Sequence, residues 1–211
     1  MKLAIFGASG RTGKILIEQA LSAGHQVVAV VRDIAKITPA QNLEIRSVDI
    51  SNLEETTKVL EGVEVVFNCL GSNHLGKTDL QEKSIQVILK AMSANGIKRI
   101  IVLGASGSLH PSLKHASFGR KIFFWIIRNT FLKHPMRDSG NQQRILEGSS
   151  ADYTVVLPPR LTDGPYVGKY RVDAEGLPPQ GQLLGRADLA EFMLRQASDP
   201  QWIRQCPYVA Y

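Results

Sequence analysis

Three glycines in the first thirteen residues constrain this chain more than any other feature. Residues 1–6 (Met-Lys-Leu-Ala-Ile-Phe) read as a short apolar strand, and Gly7, Ala8, Ser9, Gly10, Arg11, Thr12 and Gly13 follow at once. Residues 14–21 then place apolar side chains at helical spacing. A buried strand that turns through glycines into a helix gathers free backbone N–H groups and the positive end of a helix dipole at one point. That point is a seat for a pyrophosphate. Gly7 permits the tight turn, Gly10 lets phosphates approach the backbone, and Gly13 lets the helix pack close to the sheet. The spacing is G-x-x-G-x-x-G rather than the more usual G-x-G-x-x-G. Glycines also mark ordinary turns, so the strand before and the helix after are what point to a dinucleotide.

The rest of the chain repeats the strand-helix alternation. Residues 26–31, 44–48, 64–70, 98–103 and 153–157 read as further strands. The run at 26–31 is continuously apolar and β-branched, as a parallel strand covered on both faces should be. Residues 52–61, capped by Ser51 or Asn52, 79–95 and 137–147 read as helices, with Gly96 a C-terminal stop. Residues 169–172 read as a short strand, and 186–197 as a last helix entered through Gly185. Strands joined by helices favour an α/β fold: a single-domain Rossmann fold with a doubly wound parallel sheet over residues 1–211.

A length of 211 residues suits one domain with a sizeable core. The first strand is read as core rather than as a targeting segment, and no apolar run reaches the roughly 20 residues of a membrane span. The two cysteines, Cys69 and Cys206, form neither a disulfide framework nor a metal pattern, and His110, His115 and His134 have no ligand spacing. The expectation is a cytoplasmic protein, a monomer, with no metal. Its 25 Lys and Arg exceed 19 Asp and Glu, but Lys114, Arg120, Lys121, Arg128, Lys133 and Arg137 fall together without an acid, and the remainder balances. So local a basic excess fits an anionic ligand, partner or surface better than general nucleic-acid binding.

Arg32 stands just after the second strand. An acidic residue there bonds a ribose 2′-hydroxyl, whereas an arginine favours a 2′-phosphate. Arg32 heads the position, with Asp33 behind it, and Arg11 and Lys36 add charge, so the expectation is NADP(H) over NAD(H). The alternative is a solvated Arg32 with Asp33 taking the hydroxyl. Asp49 and Ile50 follow the third strand, where they meet an adenine edge or where Asp49 caps the next helix. Leu70, Gly71 and Ser72 end the fourth strand on the ligand side of an open sheet. Pro158, Pro159 and Arg160 form a stiff turn aimed at the same mouth, with Arg160 an anion contact or a plain surface residue.

Ser106, after the fifth strand, is the candidate polar contact at the reacting end, bonding a nicotinamide amide or a substrate carbonyl. The next helix lacks the Tyr-x-x-x-Lys pair of ordinary short-chain reductases, and no tyrosine occurs between Leu70 and Ala151. Ketone chemistry needs a positioned acid; a conjugated acceptor such as a flavin or tetrapyrrole depends on one less. Residues 118–131 are aromatic, apolar and basic together. They read as a pocket wall for a flat anionic substrate, as an amphipathic surface for a membrane or partner, or as a packing helix with a basic face. The substrate pocket is expected mainly from residues 106–135 and 158–180.

Together, residues 2–13, Val30-Val-Arg-Asp33, Val48-Asp49, Leu70-Gly71, Leu157-Pro-Pro159 and the run from Arg186 to Leu194 resemble atypical short-chain dehydrogenase/reductases of the NmrA-like group. The resemblance spans nearly the whole chain and is strongest to the flavin and biliverdin reductase branch. It implies a Rossmann-fold monomer that uses NADPH to reduce flavins (FMN, FAD) or linear tetrapyrroles. It implies that Gly7 to Gly13, Arg32, Lys36, Asp49, Ile50, Gly71 and Ser72 hold NADP, with Ser106 beside the nicotinamide. A non-catalytic NADP-sensing regulator and a quinone or carbonyl reductase stand as alternatives. The chain departs from the family at Arg11, Arg160 and Gln143, where glutamine or histidine is usual.

Overall fold

The computed structural model describes residues 1–71, 76–106, 108 and 133–211. Six strands form one parallel sheet: β1 (Lys2–Phe6), β2 (Gln26–Val31), β3 (Leu43–Ser47), β4 (Val65–Asn68), β5 (Arg99–Leu103) and β6 (Asp152–Val156), in the order β3-β2-β1-β4-β5-β6. That order reverses direction between β1 and β4. The crevice where ligands bind in open α/β sheets lies there, beyond the strands' carboxyl ends.

The alternation of side chains along each strand explains the two-sided core. Ala4 and Phe6 of β1, with Val28 and Val30 of β2, enter one apolar layer. Leu3 and Ile5, with Val27, Ala29 and Val31, enter the other. The first layer is closed by Leu60 after α2 (Leu53–Val59), by Ile85, Ile88 and Met92 of α3 (Leu80–Ala94), and by Leu146 of α4 (Lys133–Glu147). Leu16, Ile17 and Ala20 of α1 (Arg11–Ser22) close the second with Leu189, Phe192 and Met193 of α5 (Arg186–Arg195). Continuously apolar strands are what a sheet covered on both faces requires.

Several boundaries differ from the sequence expectation. Helix α1 begins at Arg11 rather than at 14, because a helix can carry Gly13 in its first turn where packing demands a bare Cα. Helix α4 begins at Lys133, four residues before the expected start, with Pro135 in its first turn where the missing N–H costs nothing. The cap of α2 is as expected: Asn52, one of the two candidates, accepts from the Glu54 and Glu55 N–H groups, and Asp49 does not cap it.

Beyond β6, short strands build a rim. β7 (Arg160–Thr162) pairs in parallel with β9 (Leu183–Gly185), and β8 (Arg171–Asp173) pairs antiparallel with β10 (Tyr208–Ala210). The segment leading into β10 also runs beside β6, where Val155 N–H donates to Gln205 O and Leu157 N–H to Pro207 O. Among the described residues no helix is long and apolar enough to cross a membrane.

Candidate nucleotide-binding and active site

At the β1–α1 turn the glycines are required by contact. Gly7 has φ +73°, and a Cβ there would lie 2.7 Å from the Cys69 carbonyl carbon at the end of β4. A Cβ at Gly13 would lie 2.4 Å from Gly7 O. The turn is therefore pressed against β4 on one side and its own helix on the other. Gly10 is the α1 N-cap, in extended conformation and offering no side-chain acceptor, while its N–H donates to Gly7 O at 3.0 Å. The N–H groups of Arg11, Thr12 and Gly13 open the helix with no intrahelical acceptor, the condition for anion binding at a helix start. Thr12 is buried and Ser9 half-buried beside them. A backbone cradle that no side chain fills fits a pyrophosphate.

At the end of β2, Arg32 is exposed, and its guanidinium has no hydrogen bond or ion pair among the described residues. Asp33 is occupied otherwise: its carboxylate accepts the Ala35 N–H at 3.1 Å, capping the short 3-10 turn Ile34–Lys36, and lies 3.8 Å from Lys36 Nζ. One oxygen of the acid that could meet a ribose hydroxyl is thus held in its own turn, while the arginine is exposed. Asp49 is exposed at the end of β3, where the Ser51 N–H and hydroxyl bond one carboxylate oxygen at 3.0 and 2.8 Å and hold its pKa below the usual carboxylate range. Ile50 is half-buried against the core beside it.

Leu70 is half-buried, with its N–H donated to Asn68 Oδ1, and Gly71 is exposed at the crest; Ser72 lies outside the described residues. Ser106 is half-buried and its N–H donates to Pro158 O at 3.1 Å, so the ends of β5 and β6 are tied together. Pro158 is buried, Pro159 half-buried, and Arg160 is exposed with no charged partner among the described residues. The expected pocket wall at 106–135 falls mostly on residues 107 and 109–132, outside the described residues, as does the aromatic basic run at 118–131.

The structure also assembles residues that the sequence reading passed over. Arg11 does not turn toward Arg32; its Nη1 meets Asp163 Oδ2 at 3.1 Å, while Asp163 Oδ1 takes Arg186 Nη1 at 2.6 Å. Asp138 of α4, 1% exposed, accepts the Gln81 and Glu82 N–H groups at 3.0 and 2.9 Å, capping α3 from a neighbouring helix. Asn68 Nδ2 donates to Gln142 Oε1 at 3.1 Å, and Gln142 reaches on toward Gln81. The buried face of α4 carries Asp138, Ser139, Gln142 and Gln143, with no tyrosine or lysine among them. Polar residues on that helix were the available sequence signal, but the partners of Asp138 and Gln142 lie 56 to 74 residues away. Among the described residues no cluster of His, Cys, Asp or Glu has the form of a metal site.

A glycine-lined turn opening a helix at the switch point of a 3-2-1-4-5-6 sheet defines a Rossmann-type dinucleotide-binding protein. The chain belongs to the NAD(P)H-binding family, whose match covers residues 7–200. Its whole length superposes on the oxidoreductase ylbE from Lactococcus lactis (TM-score 0.82, 23% identity, 90% of that chain). It also superposes on ChuY, an anaerobilin reductase from Escherichia coli O157:H7 (TM-score 0.79, 21% identity, 100% of this chain and 97% of that one). At such identities the likeness is one of fold. Among sequence relatives, the uncharacterised protein YwnB of Bacillus subtilis (strain 168) is 29% identical over 109 residues, 52% of this chain and 49% of that protein. The chain thus aligns with about half the length of this relative.

Proposed function

We propose that the chain is an NADPH-dependent reductase whose acceptor is a flat conjugated molecule, a flavin or a linear tetrapyrrole such as biliverdin. The observation that carries the cofactor choice is the pair at the end of β2. One Asp33 oxygen is engaged by its own turn, and among the described residues the Arg32 guanidinium has no hydrogen bond or ion pair, which suits a 2′-phosphate. Gly7, Ser9, Gly10, Arg11, Thr12 and Gly13 would seat the pyrophosphate. Lys36 adds charge beside Arg32, and Asp49 with Ile50 would border the adenine. Leu70, Gly71, Ser72, Pro158 and Pro159 would flank the nicotinamide end.

When bound, the reduced nicotinamide supplies a hydride. The protein's part is orientation and exclusion of water. Ser106, fixed through its backbone to Pro158, offers a hydroxyl at the reacting end. Arg160, exposed and without a charged partner among the described residues, offers a charge for an acceptor carboxylate or phosphate. The inner face of α4 offers no tyrosine–lysine acid, so the acceptor best served is one whose reduced form takes its proton from solvent. The same absence suits a regulator that binds NADP without turnover, and a quinone reductase is a third reading.

Rates of NADPH oxidation with FMN, FAD, biliverdin and a quinone separate these. The proposal expects oxidation with a flavin or the bilin. Tight NADPH binding with no oxidation by any acceptor would replace it with the regulator.

A further inference from the structure

We infer that Tyr166 is the specificity-determining residue for the acceptor, a preformed stacking platform for its conjugated ring. Tyr166 and Val167 are 56% and 53% exposed, among the few large apolar side chains that the described residues leave in solvent. Exposed apolar groups on a wandering loop would call for little comment, but this loop is held at both ends. At its start, Asp163 is gripped by Arg11 from the glycine turn and by the buried Arg186, which ties the loop to the cofactor cradle. At its end, the Val167 and Gly168 N–H groups donate to the Asp188 carboxylate at 3.2 and 2.6 Å, and Asp188 is fully buried. The Tyr211 hydroxyl donates to the same carboxylate at 2.8 Å and accepts the Gly185 N–H at 3.0 Å. Burying a carboxylate is costly, and here it serves to fix two backbone N–H groups of an exposed apolar loop.

The ring itself is backed. Gly168 has φ +71°, and a Cβ there would lie 3.0 Å from the Tyr166 hydroxyl oxygen and 3.1 Å from Cζ. The phenol end therefore lies close against the Gly168 backbone, and Tyr166 remains 56% exposed. An exposed aromatic ring whose phenol end lies against anchored backbone, three residues after the Asp163 that pairs with Arg11, suits stacking with another flat π-system. Val167 extends the apolar surface and Arg160, on the strand leading into the loop, supplies charge for an acidic substituent. The identity of the stacked ring as a hydride acceptor rests on the proposed reductase function.

The test is FMN binding to the NADP+-loaded protein, followed by quenching of flavin fluorescence, for wild type, Tyr166→Ala and Tyr166→Phe. Tyr166→Ala is expected to weaken FMN binding about tenfold and to relieve the quenching, in line with loss of one ring stack. Tyr166→Phe should bind as wild type, and calorimetric affinity for NADPH should stay within about twofold in both, because the ring is not part of the phosphate cradle. FMN binding that is absent in wild type, or equal in Tyr166→Ala, overturns the platform. FMN binding through Tyr166 without NADPH oxidation keeps the platform and removes the reductase reading.

Discussion

The two sides of the ligand edge are built by different means. The β1–α1 turn works through what it lacks: bare Cα atoms at Gly7 and Gly13 let backbone meet backbone, and no side chain caps the helix. The rim after β6 works through side chains whose partners lie far off in sequence, Asp163 with Arg11 and Arg186, and Asp188 with the 167–168 backbone and Tyr211. One side holds a constant ligand with constant chemistry, the dinucleotide. The other is a loop anchored at two carboxylates, with Tyr166 and Val167 exposed, which the proposal assigns to the acceptor. On the proposed reading, affinity for the cofactor and selectivity for the acceptor are carried by separable parts.

The separation is open to attack by substitution. Gly13→Ala is expected to have the largest effect. Its Cβ meets backbone rather than a yielding side chain, so stability should fall by about 3 kcal/mol, read by denaturant unfolding. Calorimetry should show NADPH binding weakened at least about a hundredfold as the turn opens. Asp188→Asn puts an amide where two N–H groups and a hydroxyl donate. Unfolding should register a loss of about 2 kcal/mol, while NADPH affinity stays within about twofold. Equal damage to both functions by either variant would mean that the two sides are one cooperative unit.

Each side also holds a cysteine whose thiol is pushed up to about 12 by desolvation, Cys69 at the end of β4 and Cys206 beside β6. The unfolded thiols ionise first, so the stabilisation from keeping them protonated is complete below about pH 9. It is lost as pH rises from there toward 12, roughly 1 kcal/mol per thiol for the first unit. Cys206→Ser should therefore lose less stability than wild type between pH 8.5 and 10, by about that amount, in paired denaturation curves. The smallest effect belongs to Arg11→Ala: its ion pair with Asp163 is 70% and 64% exposed, so below about 1 kcal/mol is expected in a double-mutant cycle with Asp163→Ala.

The two sides also differ in how far the sequence discloses them. The glycine turn, the parallel strands and Arg32 are local patterns, read within a dozen residues, and the sheet follows them. Helix α4 begins at Lys133 rather than at the expected 137, with Pro135 in a first turn that tolerates its missing N–H. The role of Asp138 as a cap for α3, and of Asp188 as an anchor for residues 167 and 168, had no local signal. Each depends on groups brought together by folding. Arg11 was expected to supplement the 2′-phosphate charge, and its pairing with Asp163 came from a partner 152 residues away.

The central claim is that the amino-terminal turn and Arg32 together hold a phosphorylated nicotinamide dinucleotide. Calorimetric titration of the protein and of Arg32→Ala with NADPH and NADH tests it most directly. One NADPH per chain, bound more tightly than NADH, with a preference that falls at least about tenfold in Arg32→Ala, is the expected result. An unchanged preference would remove Arg32 from the site, and no heat of binding with either nucleotide would contradict the account at its base.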